Sequence, residues 1–299
     1  MTSSTGLVHA GRSRARGGAR LPSLAISLGV AFVLVLGFGA ATRARAEAAS
    51  GAPAKAGAPG ATAAGQAKPI RVLAAASLTE VVEGLAQDFA GGPVETSFGA
   101  SSDLARQIRD GAPADVFVSA SPDWIAFLRE ANVLAGEPVL VARNALVCAA
   151  PKGSPLAADG KGGARVRDPA ALLARLGEGE LVAIADAGVP AGDYARRALA
   201  KLGLAAGFER RLVGQKDVRA VLHAVEQGEV AAGFVYATDV RVARVDTLFA
   251  FDPATHPPIE YHAVVLRGAA QPEVARRFLE HLGSPAARAR LSAAGFVLP

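Results

Sequence analysis

Residues 70–89 read IRVLAAASLTEVVEGLAQDF, and their pattern decides the fold. The stretch 70–76 is a short apolar run of the kind that forms a strand buried on both faces. Ser77-Leu78-Thr79-Glu80 has the spacing of a capping box, and Val81, Val82, Leu85 and Phe89 behind it share one helical face. Strand, small-residue turn and helix then recur. A strand is expected at 94–98 and a helix at 101–109 carrying Leu104, Ala105 and Ile108. Another strand follows at 115–119, and Ser121-Pro122 places a cap and a first-turn proline before Trp124, Phe127 and Leu128. A second set has strands at 144–150, 181–185, 230–236 and 261–266. Its helices fall at 168–176, 194–202, 218–228, 272–282 and 285–293. Strict alternation implies parallel strands joined by crossovers, a doubly wound α/β sheet. Residues 70–299 exceed one comfortable sheet, so two α/β lobes are expected.

The remainder of the chain is of a different kind. Hydrophobic residues make up 51% of the 299, which excludes a disordered chain, and 33 Gly with 18 Pro show no collagen triplet. The formal charge of +5 is misleading, because residues 1–46 hold six Arg and no acid. From Glu47 onward 26 basic residues face 27 acidic ones, so nothing points to nucleic acid. Arginines 12–20, an apolar run at 21–41 and Ala44-Arg45-Ala46 have the order of a cleavable signal peptide spanning 1–46. Left uncleaved, the same run is long enough to tether a sensor lobe to a membrane. Residues 47–69 are Ala/Gly/Pro-rich without a large apolar side chain, and are read as a disordered tether. Cys148 is the only cysteine, so no intramolecular disulfide forms, and its apolar neighbours make it a small core residue. Export without disulfides suits the periplasm.

The places where chemistry is expected are strand-to-helix turns rich in small residues and hydroxyls: 76–79, 99–102, 189–192 and 216–218. Each puts free backbone N–H groups and a positive dipole end at the carboxyl edge of a sheet, where open α/β folds bind ligands. Converging, they form an anion site of neutral donors. Ser77 and Ser101 are equally placed to be ordinary helix caps, and a hydroxyl is able to cap and donate at once. Enzyme signatures are missing: no G-x-S-x-G elbow, no phosphate loop, no H-E-x-x-H. His223, His256, His262 and His281 are scattered, with His223 expected to be partly buried on its helix. Asp186, Asp193 and Asp217 lie near the turns as caps or turn residues, and Arg219 is expected in a surface ion pair.

Taken together, the turns are recognisable. Val72-Leu73-Ala74-Ala75-Ala76-Ser77-Leu78-Thr79, Phe98-Gly99-Ala100-Ser101-Ser102-Asp103-Leu104, Asp115-Val116-Phe117-Val118-Ser119-Ala120, Val189-Pro190-Ala191-Gly192-Asp193-Tyr194, Asp217-Val218-Arg219 and Gly233-Phe234-Val235-Tyr236 occur in one order over residues 70–299. This run resembles the periplasmic molybdate-binding proteins of ABC transporters. The resemblance implies a hinged, two-lobed type II periplasmic binding protein, each lobe a mostly parallel sheet. Lobe 1 would comprise 70–145 and 240–299, and lobe 2 146–239. It implies a ligand set of Ser77 and Ser101 (backbone N–H and hydroxyl), Ala191 and Val218 (backbone N–H) and Tyr236 (phenol). These would hold the oxygens of molybdate, or of tungstate, without direct metal ligation. Gly99-Ala100 departs from the more serine-rich turn common in the family. The implied protein is a periplasmic monomer that delivers its anion to an inner-membrane permease, with no catalysis and no cofactor. A sulfate- or phosphate-binding relative is the alternative of the same class. A secreted α/β serine hydrolase using Ser77 or Ser101 is the alternative from another class, though no motif supplies its base.

Overall fold

The computed structural model describes residues 68–159 and 164–299; the expected signal peptide and nearly all of the expected tether lie outside them. The chain begins with β1 (Ile70–Ala75), a 3-10 turn (Ala76–Leu78) and α1 (Thr79–Gln87). It continues through β2 (Val94–Gly99), α2 (Ser101–Arg109), β3 (Val116–Ser119), α3 (Pro122–Glu130) and β4 (Val139–Asn144). Ala145 alone separates β4 from β5 (Leu146–Pro151), which starts a second sheet. Then come α4 (Pro169–Arg175), β6 (Val182–Ala185), α5 (Pro190–Lys201), α6 (Ala205–Phe208), β7 (Leu212–Gln215), α7 (Val218–Glu226), β8 (Ala232–Tyr236) and β9 (Val245–Ala250). The strand β10 (Ile259–Val265) returns to the first sheet, and α8 (Pro272–Leu282) and α9 (Pro285–Ala293) close the chain.

The two sheets repeat one plan. Their orders are β2-β1-β3-β10-β4 and β7-β6-β8-β5-β9. In the first, β1 pairs in parallel with β2 and β3, and β10 runs antiparallel between β3 and β4. In the second, β6 pairs in parallel with β7 and β8, and β5 runs antiparallel between β8 and β9. Four of five strands in each sheet therefore point the same way. Their carboxyl ends share one edge, and the helices that follow them start there.

Alternation along β1 shows why the first sheet is buried on both faces. Ile70, Val72 and Ala74 pack with Val81, Val82 and Leu85 of α1 and Phe278 and Leu282 of α8. Leu73 faces the other way, with Phe117 and Val264, onto Leu104, Ile108, Ile125 and Leu128 of α2 and α3. Cys148 is buried in the second sheet, and burial pushes its thiol far above the usual range, leaving it unreactive. No helix among the described residues is long and apolar enough to cross a membrane.

Four strands differ from the sequence expectation: the edge strands β4, β7 and β9 are not among those expected, and the strand expected at 144–150 begins at Leu146. The lobe boundary expected near 239 also moves. The pairing of β9 with β5 keeps residues 245–250 in the second lobe, so the return crossing lies between Ala250 and Ile259.

The lobes touch on both sides of the cleft between them. On one side the Arg219 guanidinium of α7 grips both carboxylate oxygens of Glu80 in α1, at 2.6 and 2.8 Å. Its Nε lies 3.0 Å from Oδ1 of Asp239, a carboxylate with no exposure whose Oδ2 accepts from Tyr236 N. Across the cleft mouth, Trp124 Nε1 donates to the Gly188 carbonyl at 3.1 Å. Gly192 lets α5 lie against the end of β6, since a Cβ there would overlap the Ala185 carbonyl oxygen.

Gly192→Ala should therefore push back the start of α5 and cost about 1–3 kcal/mol of stability. Thermal and chemical unfolding would measure it, and an unchanged midpoint would show that the approach is not required. Asp239 offers a second test. Burial pushes its carboxyl up to about 6, against the opposing charge of Arg219 and the Tyr236 N–H. That lies above an ordinary Asp at about 3.9, so the folded state takes up the proton first and the group's contribution rises as pH falls from 7 to 5. Relative to Asp239→Asn, the native protein should gain about 1 kcal/mol of unfolding free energy over that interval. A difference independent of pH would place the titration elsewhere.

Candidate functional site

At the shared carboxyl edges a small cavity is lined by residues from both lobes. The first lobe contributes Ala76 and Ser77 after β1, Gly99 at the end of β2 with Ala100 and Ser101 behind it, and Ala120 after β3. The second contributes Pro190 and Ala191 at the start of α5, Asp217 and Val218 at the start of α7, and Tyr236 at the end of β8. All five residues named by the resemblance, Ser77, Ser101, Ala191, Val218 and Tyr236, are among them, and all are buried. The volume open to the centre of a water-sized sphere is about 10 Å³, the scale of one small guest and far below that of a pocket for an organic solute.

Helix geometry supplies the donors. Ser101 and Val218 are the first residues of α2 and α7, and Ala191 is the second of α5 behind Pro190. First-turn N–H groups have no acceptor within their own helix. Three such ends, with the 3-10 turn that holds Ser77, aim partial positive charge at one point.

The hydroxyls are arranged differently from ordinary caps. Ser77 does not cap α1 and makes no capping box with Glu80: its Oγ lies 2.8 Å from Tyr261 Oη, and Glu80 is taken by Arg219. Ser101 does not cap α2 either; its Oγ accepts from Ala120 N at 3.0 Å. The Tyr236 phenol is buried without a hydrogen-bond partner among the described residues. Burial pushes it well above its usual range, so it keeps its proton at neutral pH.

The acids near the cavity are occupied elsewhere. Asp217 caps α7 by accepting from Ala220 N at 2.9 Å, and Asp193 accepts from Gly188 N at 2.9 Å. Arg219 is turned to Glu80 and Asp239 and is not part of the lining. Neither Ser77 nor Ser101 has a histidine or carboxylate as a hydrogen-bond partner among the described residues, so neither is paired with a base. His223 is exposed, not partly buried, because its position on α7 faces away from Val221 and Leu222. No cluster of three or more His, Cys, Asp or Glu among the described residues is placed to hold a metal ion.

Three residues of the site's surroundings went unread in the sequence: Asn144, Thr238 and Tyr261. Tyr261 lies 184 positions from Ser77 and reads as one more apolar residue of a strand. Asn144 donates to Thr238 Oγ1 at 2.9 Å and to Tyr261 Oη at 3.3 Å. Only the folded crossover brings these groups together.

Residues 70–297 match the family model of the bacterial extracellular solute-binding proteins. Among curated relatives, the molybdate-binding protein ModA of Haemophilus influenzae is 37% identical, covering 76% of this chain and 89% of its own. The protein of that name from Escherichia coli is 34% identical, covering 77% and 89%. Among solved structures, the periplasmic molybdate-binding protein of Azotobacter vinelandii superposes with a TM-score of 0.67 at 26% identity, covering 77% of this chain and 99% of its own. Two lobes of one topology and a cavity of neutral donors between them agree with that likeness. The chain belongs to the bacterial extracellular solute-binding proteins, in the family of the molybdate-binding protein ModA.

Proposed function

We propose that this protein is exported to the periplasm, where as a monomer it captures molybdate, and tungstate with it, and delivers the anion to an ABC permease without catalysing any reaction. The observation that carries this reading is the buried Tyr236 phenol, unpartnered and lining a cavity otherwise furnished with helix N-termini and two serines. A buried polar group without a partner is costly, and an oxyanion oxygen supplies what this one lacks. The two-lobed relatives bearing the name molybdate-binding protein support the same ligand. An anion held by Ser77 and Ser101 on one lobe and by Ala191, Val218 and Tyr236 on the other would favour the closed arrangement over an open one.

Calorimetric titration with molybdate, tungstate, sulfate and phosphate tests the assignment, and failure to bind molybdate would end it. Tyr236→Phe removes one hydroxyl and keeps the ring. A hydrogen bond to a charged group contributes about 1.5–3 kcal/mol, so molybdate affinity should fall about 10- to 150-fold with the apo melting point little changed. An unaltered dissociation constant would make Tyr236 a core aromatic only. Phosphate should bind far more weakly than molybdate at pH 7, because it still carries a proton and the site offers donors. Stranding that proton costs about 1–3 kcal/mol, and comparable affinities would refute the donor-only site.

A further inference from the structure

We propose that Asn144 and Tyr261, which do not line the cavity, set its specificity by forcing the Ser77 hydroxyl to present a proton to the ligand. This rests on reading the cavity as an oxyanion site, and it assigns the rejection of protonated anions to residues outside the ligand set.

The argument starts at a backbone amide, which has only one role. Ala145 N–H donates to Asn144 Oδ1 at 2.9 Å. That contact fixes which end of the Asn144 amide is oxygen, so Nδ2 faces the other way and donates to Thr238 Oγ1 and Tyr261 Oη. The Tyr261 oxygen thus accepts from Asn144, and its ring is fully buried. Its own proton has one acceptor among the described residues, Ser77 Oγ at 2.8 Å. Were that bond to run from serine to tyrosine, the phenol proton would be buried with nothing to bond. The bond therefore runs from Tyr261 to Ser77, and the serine's proton is left for the cavity that Ser77 lines.

Ser101 reaches the same state by a shorter route, its oxygen taking the Ala120 N–H directly. Tyr236 has a single proton and no acceptor among the described residues, so accepting from a ligand would strand it. All three hydroxyls are consequently donors. Ser77 differs in that its direction is set two residues away, across the crossover between the lobes, by a side chain with a near-isosteric counterpart of opposite hydrogen-bond character. Asn144 and Tyr261 are positioning residues, and Asn144→Asp is the informative change. A carboxylate at 144 still takes the Ala145 N–H, but its second oxygen accepts the Tyr261 proton. Tyr261 then accepts from Ser77, and Ser77 turns a lone pair to the cavity.

The test compares molybdate with phosphate at pH 8, where both are mainly dianions and only phosphate carries a proton. Added negative charge at residue 144 weakens both alike, so their affinity ratio reports hydrogen-bond direction alone. Phosphate is measured by competition against molybdate. Asn144→Asp should narrow the molybdate-to-phosphate ratio by at least about tenfold, the scale of one hydrogen bond to a charged group. Tyr261→Phe, which frees the Ser77 hydroxyl to turn either way without reversing it, should weaken molybdate and narrow the ratio by less than Asn144→Asp does. In a Ser77→Ala background, Asn144→Asp should leave the ratio unchanged. If Asn144→Asp lowers both affinities by one factor, or narrows the ratio equally without Ser77, the relay is refuted. Should Asn144→Asp fail to fold, the Tyr261→Phe result decides: a molybdate-to-phosphate ratio equal to that of the native protein refutes the relay. Native protein that binds no molybdate would instead overturn the functional reading, an outcome visible before any variant is made.

Discussion

Helix N-termini from both lobes and one phenol without a hydrogen-bond partner among the described residues line a single cavity, and the architecture can be understood as the means of bringing them there. A single helix end contributes a fraction of a charge, and only for groups within its first turn. Several must therefore converge within hydrogen-bond reach of one small object. Two sheets with strands running mostly one way, facing each other by their carboxyl edges, achieve this, because each parallel strand delivers the following helix start to the same edge.

The repeated strand order explains how two lobes are made from one interrupted chain. Each sheet has one reversed strand, β10 in the first and β5 in the second, and each of these is reached by crossing from the other lobe. The crossing at Ala145 has no slack, with β4 ending at Asn144 and β5 starting at Leu146. Side chains beside it are thus held in fixed relation to both sheets. Thr238, at the end of the neighbouring strand β8, and Tyr261, in β10, meet Asn144 there.

What the sequence made legible follows from the range over which each signal acts. The turns around Ser77, Ser101, Ala191 and Val218 are local: a strand, small residues and a helix start lie within a dozen positions, and electrostatics marks such ends without knowledge of the rest. That they share one cavity required the family likeness, since nothing local says that residue 77 meets residue 236. The edge strands were illegible for a related reason. β7 is four residues, Leu-Val-Gly-Gln, and β9 mixes Asp and Thr with apolar residues, so neither shows the apolar run of a central strand. The capping box at Ser77 misled because its residue types were right for a local role. A tyrosine 184 residues on and an arginine from the opposite lobe claimed Ser77 and Glu80 instead.

Arg219 shows how charge and recognition are kept apart. It sits beside Val218, near enough to the cavity to seem the natural partner of an anion, yet its guanidinium is spent on Glu80 and Asp239. A guanidinium in the cavity would attract any anion strongly through its full charge, an attraction that depends little on direction. Neutral donors give less attraction apiece but depend more on direction, and a ligand oxygen bearing a proton meets another proton. Holding the cation at the lobe contact spends its charge between the lobes, and on the proposed reading the choice among anions is left to groups whose hydrogen-bond polarity the fold can set.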